Sequence, residues 1–274
     1  MLITKGIYGS RKKEEIMEDY AGKTVVITGG TSGLGFALAK ILGGRGASIV
    51  ITGRREEKGA EAVEKLRAEG VSARYLRQDV SSESDWNNLA FTVKSEFGGV
   101  DYLFNNAGVM LQPNALMKTS VSDWKWIMDT NFWGSLYGLR VFSGLMFTQP
   151  EGGRIVTTAS TAGVSAFSGW APYSVTKTAL VRLVENYQAE AIKFELDKVK
   201  YNVSLPGVFE SEIANSTLHR NEEYNNINGN GQEMPLSVAH TESGDRLGML
   251  TAEETAQIIL DQIDEGCFYL LPHA

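Results

Sequence analysis

Seven short runs of β-branched and apolar residues alternate with longer amphipathic stretches from residue 23 to the end of the chain. "TVVIT", "SIVIT" and "RIVTT" are apolar at successive positions rather than at every second one. That is the pattern of strands covered by helices on both faces. Strands are predicted at 23–28, 48–52, 73–77, 100–104, 154–158, 199–204 and 267–271. Helices are predicted at 33–43, 55–69, 82–97, 120–147, 171–195 and 251–265. Such alternation constrains the chain to an α/β architecture, a doubly wound parallel sheet of about seven strands with helices on both faces. At 274 residues and 43% apolar, with no internal linker, one domain is expected over 22–274, behind an N-terminal extension at 1–21.

The first strand runs into "TGGTSGLG" at 28–35, and a helix follows. Amides at a helix start are unpaired and sit at the positive end of the dipole, so they suit an anion such as a pyrophosphate. Gly29 permits a tight turn, Gly33 lets phosphate oxygens approach the backbone, and Gly35 lets helix and sheet pack closely. A purely structural glycine turn would look similar. The spacing is GxxxGxG rather than the general GxGxxG.

Composition removes several function classes. Net charge is −7, and the basic cluster Arg11–Lys13 is answered by Glu14, Glu15, Glu18 and Asp19, so no footprint for nucleic acid is visible. His219, His240 and His273 are far apart and no Cys or His pair has ligand spacing, so no metal is expected. The single cysteine, Cys267, precludes an internal disulfide framework and suits a reducing compartment. No run approaches the roughly 18 apolar residues of a membrane span, and the start lacks a secretory signal core. A cytoplasmic protein with no membrane partner is expected.

"APYSVTK" places Tyr173 and Lys177 four residues apart, on one face of a predicted helix. An ammonium beside a phenol favours the phenolate, so the tyrosine pKa is expected to fall from about 10 towards working pH. Alone, such a pair is also a common surface arrangement. In this chain it follows "TGGTSGLG", "NNAG" at 105–108, Asn131 in "NFWG" and Ser160 in "TTASTAG", and precedes "LPG" at 205–207.

That order and spacing resemble the classical short-chain dehydrogenase/reductase family, from about residue 22 to the end. The resemblance implies a Rossmann-type fold and hydride transfer to or from a nicotinamide. It implies that Tyr173 is the general acid or base, that Lys177 lowers its pKa and holds the nicotinamide ribose, and that Ser160 binds the substrate oxygen. Asn131 would support a water-mediated relay reaching Lys177, although a buried asparagine there, or at Asn105, serves equally as scaffolding. Thr31, Ser32 and Leu34 would join the three glycines around the cofactor. Asp79 and Val80 match the adenine contact, and Asn105, Asn106, Ala107 and Gly108 the channel after the fourth strand. Pro206, Gly207 and Val208 would flank the nicotinamide, with Ser211 standing for the family's usual threonine. A homodimer or homotetramer is the family expectation.

The second strand ends in Gly53, Arg54 and Arg55, where an NAD enzyme places an acid for the ribose hydroxyls. Glycine leaves room for a 2′-phosphate and arginine pairs with it, so NADP (as NADPH) is expected over NAD. The alternative leaves Glu56 to serve the ribose of NAD. By family position, Met110, Val164, Phe167, Trp170 and Phe209 line the pocket for an alcohol or ketone substrate, apolar and cyclic or aryl. The polar segment 207–250 is expected to be a substrate lid, with Val208, Phe209, Ile213 and Leu218 on one helix face. A non-catalytic nucleotide-sensing protein is the rival class; it would be expected to lose the serine, tyrosine or lysine, and all three are present.

Overall fold

The computed structural model describes residues 19–209, 211–224 and 249–273. The expected N-terminal extension, up to residue 18, and the lid segment from 225 to 248 lie outside the described residues. Seven strands form one sheet: β1 (Thr24–Thr28), β2 (Ser48–Gly53), β3 (Ala73–Arg77), β4 (Tyr102–Asn105), β5 (Gly153–Thr158), β6 (Val199–Ser204) and β7 (Tyr269–Leu270). Their order is β3-β2-β1-β4-β5-β6-β7, and each neighbouring pair is parallel. This is the doubly wound Rossmann-type order, with its switch point between β1 and β4.

Both faces of the sheet are covered, as the unbroken apolar runs require. Val25 and Ile27 of β1 and Ile49 and Ile51 of β2 pack under α1 (Gly33–Gly44), α2 (Glu56–Ala68) and α7 (Ala252–Asp264). Val26 and Val50, between them in sequence, belong to the opposite core. There they meet α3 (Glu83–Phe97), α5 (Gly134–Phe147) and α6 (Ala171–Lys193). The period-2 alternation of side chains thus feeds two cores from one run of residues.

The predicted helix at 120–147 is interrupted. It comprises α4 (Val121–Ile127), a π-helical turn over Met128–Trp133, and α5. Ser120 and Asp123 form a capping box that starts α4. The π turn carries Asn131, and such turns concentrate at functional sites.

Candidate active site

The loops that leave β1, β2, β3, β4, β5 and β6 meet at the carboxyl edge of the sheet, around a cavity of about 920 Å³. That volume is at the upper end for a small-molecule site. At the switch point Thr28 stitches the two diverging strands together. Its hydroxyl accepts from the backbone amides of Asn106 (2.9 Å) and Ala107 (3.0 Å), and Asn106 Nδ2 donates to the Thr28 carbonyl at 3.1 Å. Thr28 stands inside the quoted glycine stretch, but a threonine without a known motif role gives no signal in sequence.

Gly29 and Gly33 both take positive φ, 65° and 50°. A Cβ on Gly35 would lie 2.4 Å from the Gly29 carbonyl oxygen, so only glycine lets α1 start this close to the turn. Ser32 caps α1 without a side-chain bond, and no acid sits in its first turn. The helix start therefore keeps its amides for an anion. Thr31, Ser32, Gly33 and Leu34 line the cavity, and a side chain at Gly33 would meet Ser211 at 3.5 Å. Ser211 thus lies beside the glycine cradle. A cavity that runs from this cradle to Tyr173 fits a dinucleotide.

Arg54, Arg55, Asp79, Val80, Asn106, Ala107, Gly108, Pro206, Gly207 and Val208 line the same cavity. Asn105 does not: it is buried and its Nδ2 donates to the Ser135 carbonyl at 2.8 Å, fastening β4 to α5. Asn131 is fully buried too. Its Oδ1 accepts from Val109 N (2.8 Å), and its Nδ2 donates to Val109 O (2.9 Å) and Thr176 Oγ1 (3.2 Å). These are scaffolding bonds, which hold the loop after β4 against the turn of α6 that carries Lys177.

Ser160, Tyr173 and Lys177 converge in the cavity. Ser160 follows β5; its Oγ accepts from Ala162 N at 3.1 Å and lies within hydrogen-bonding reach of the Tyr173 phenol. Lys177 Nζ stands 5.4 Å from the centre of the Tyr173 ring and donates to the Thr158 carbonyl at 2.8 Å. The expected fall in the tyrosine pKa is not what this geometry produces. Burial pushes Tyr173 up to about 12, with the Ser160 bond opposing it, and pushes Lys177 down to about 7. The bonded partner of Lys177 is a neutral carbonyl, so desolvation outweighs attraction. The resting phenol is protonated, the form that donates a proton to a carbonyl oxygen.

The cavity is apolar beside Tyr173. Met110 and Ala214 form a small buried cluster against which Trp170, Tyr173 and Ile213 pack. Met110, Phe167, Trp170 and Phe209 line the cavity as expected. Val164 does not: it is 65% exposed, beyond the short 3-10 turn Thr161–Gly163. The apolar face expected on the lid forms in part. Ile213 and Phe209 reach the cavity, whereas Leu218 is 38% exposed, because Glu212–His219 is a 3-10 helix with a different period.

Asn221, which carries no motif, and His219, considered in the sequence only as a metal ligand, join the arginines after β2. Arg54 donates to the His219 carbonyl at 2.7 Å and to Asn221 Oδ1, Arg55 meets His219 Nε2 at 2.7 Å, and Asn221 Nδ2 donates to Asp79 at 3.4 Å. Burial alone would raise the Asp79 pKa, but its Ser81 bonds and the Arg54 charge hold it below the usual carboxylate value. Burial and the two arginines keep the His219 pKa low. Among the described residues no group of His, Cys, Asp and Glu is placed to hold a metal, and no helix is long and apolar enough to cross a membrane.

Comparison with known proteins accords with this geometry. The short chain dehydrogenase family profile matches residues 23–222. The chain is 33% identical over 237 residues to an A-factor type gamma-butyrolactone 1'-reductase of Streptomyces virginiae, covering 85% of this chain and 90% of that one. It is 33% identical over 198 residues to a 2,5-dichloro-2,5-cyclohexadiene-1,4-diol dehydrogenase of Sphingobium indicum, covering 70% and 75%. The crystal structure of a short chain dehydrogenase/reductase from Burkholderia phymatum, in complex with NAD, superposes with a TM-score of 0.85 at 32% identity, over 94% of this chain and 91% of that one. A parallel seven-stranded sheet, a glycine cradle at its switch point, and a serine, tyrosine and lysine converging in one cavity thus place the chain in the short-chain dehydrogenase/reductase family, as an NAD(P)-dependent alcohol dehydrogenase/reductase.

Proposed function

We propose that the enzyme uses NADP and transfers hydride between it and an apolar, ring-bearing secondary alcohol or ketone. The observation that carries the cofactor choice is the end of β2. Gly53, Arg54 and Arg55 all border the cavity there, and uncharged groups of His219 and Asn221 hold both guanidinium groups in place. Guanidinium groups whose hydrogen bonds go to uncharged partners present positive charge to a phosphate, with the Asp79 carboxylate near Arg54 opposing it. The bound nicotinamide supplies or accepts the hydride. Lys177 and the α1 amides hold the cofactor, Ser160 and Tyr173 bind the substrate oxygen, and Tyr173 carries its proton. The cluster of Met110, Trp170, Ile213 and Ala214 beside the phenol supports an apolar substrate. Two relatives named for a butyrolactone and a cyclohexadienediol support a ring.

NAD is the second reading, supported by the NAD complex of the Burkholderia phymatum protein. Steady-state rates on a panel of cyclic and aryl ketones and alcohols, with each cofactor, separate the two. Arg54→Ala should weaken NADPH binding by about 1.5–3 kcal/mol, the size of a hydrogen bond to a charged group, and leave NADH nearly unchanged. Equal losses for the two cofactors would overturn the NADP assignment.

A further inference from the structure

The loop after β6 is fastened from both sides. On the inner side the Pro206 carbonyl accepts from Thr161 N at 3.0 Å and from Ser160 Oγ at 3.4 Å, so the loop bears directly on the catalytic serine. On the outer side it meets the segment after β7. Gly207 N donates to His273 Nδ1 at 3.0 Å, and His273 Nε2 lies 3.0 Å from the Val208 carbonyl. One imidazole thus grips two consecutive residues of the loop. The bonds fix its state: Nδ1 must be unprotonated to accept, so Nε2 carries the hydrogen and donates to Val208. Burial favours the same neutral form, with the Val208 bond opposing it. The ring also fills the space beside Gly207, where a Cβ would come within 3.0 Å of it.

Gly207 and Val208 line the cavity, whereas His273 lies behind them. We propose that His273 is a positioning residue for the nicotinamide end of the cofactor, setting the backbone of residues 207 and 208 from the rear through a paired acceptor and donor. The proposal rests on the reading that this loop borders the nicotinamide. Neither the catalytic motifs nor the spacing of the three histidines in sequence points to it. The partners are 65 and 66 residues away, and the contact exists because β7 lies beside β6.

The test compares dissociation constants for two probes in wild type and variants. One is whichever nicotinamide dinucleotide the wild-type enzyme binds more tightly; the other is ADP-ribose, which lacks the nicotinamide. His273→Phe keeps a ring beside Gly207 but makes neither bond. It should weaken the dinucleotide about fivefold to thirtyfold, the effect of one or two ordinary hydrogen bonds, and leave ADP-ribose within about twofold. His273→Gln and His273→Asn, whose amides offer one acceptor and one donor, should restore most of the loss and fold if the phenylalanine variant does not. KM for the dinucleotide should rise with the dissociation constant, while kcat at saturation changes less. Equal weakening of both probes would reduce His273 to a structural residue and overturn the proposal. Wild-type dinucleotide affinity in all three variants would overturn it as well. If wild type bound neither NADPH nor NADH, the cofactor reading itself would fall, and this proposal with it.

Discussion

Tyr173 and Lys177 stand 5.4 Å apart from ring centre to ammonium, and burial moves each towards its neutral form. The lysine is the more responsive, since at about 7 it changes charge near physiological pH whereas the phenol stays protonated. Tyr173→Phe removes the proton donor but keeps the ring in its cluster with Met110, Trp170 and Ile213. Turnover should fall by roughly 10²–10⁴, as for a lost general acid, with cofactor affinity near wild type. Steady-state kinetics and cofactor titration check both, and near-normal turnover would remove the tyrosine from the mechanism. The identity of this pair was readable in the sequence because the chemistry demands those residue types at that spacing. The direction of their titration was not, because it depends on what surrounds them after folding. Val164 shows the same limit: its place in the motif suggested the pocket, and its exposure of 65% places it outside.

At the scale of an element, the segment after β6 is the least legible part of the described chain. Its two 3-10 helices, Glu212–His219 and Glu222–Tyr224, run from the apolar cluster of Met110 and Ala214 to the region of α4, and Arg220 sits between them. The Arg220 side chain is 2% exposed; it is paired with Asp123 and lies 5.1 Å from the Trp126 ring centre. Tyr224 adds a bond to Asp129 at 2.9 Å, and its carbonyl accepts from Ser122 at 2.5 Å. Those partners lie on or next to α4, about a hundred residues earlier, so no local pattern announces them. Burial would raise the Asp123 pKa, yet Arg220 and Ser120 hold it below its usual value. The clasp therefore contributes fully above the ordinary carboxylate value and loses its contribution as pH falls from there through the lowered Asp123 value. Arg220→Met should cost locally about 3–5 kcal/mol, as when one partner of a buried pair is removed. Hydrogen exchange should then quicken across 212–224 while the strands keep their protection. Unchanged exchange there would show that other contacts hold the segment.

For the whole molecule, the sheet was legible because a two-faced parallel strand has few alternatives to an unbroken β-branched run. The ends of the predicted strands and helices shifted by up to about two residues, the usual play at element boundaries. The π turn within 120–147 was invisible, since one extra residue in a turn leaves the apolar pattern nearly unchanged. A ligand that fills a cavity lined by loops from six strands stabilises the fold as a unit. At about a hundred times its dissociation constant, NADPH should add about 2.7 kcal/mol and raise Tm by roughly 5–10 °C. At equal concentration NADH should raise it less. A thermal scan with each cofactor measures this, and a larger shift with NADH would favour the NAD reading.

The parallel order also divides labour between the two rims of the sheet. Among the described residues, the glycine cradle and Ser160, Tyr173 and Lys177 gather where the strands end. The turns of the opposite rim, at 45–47, 69–72, 98–101 and 148–152, reverse the chain and tie it down: Asp101 accepts from Thr24 N at 2.8 Å, and Gln149 Nε2 donates to the Val100 carbonyl at 2.8 Å. A change in length or charge at one of these turns should therefore shift Tm while kcat and KM stay near wild type, since the turns lie a strand's length from the catalytic groups.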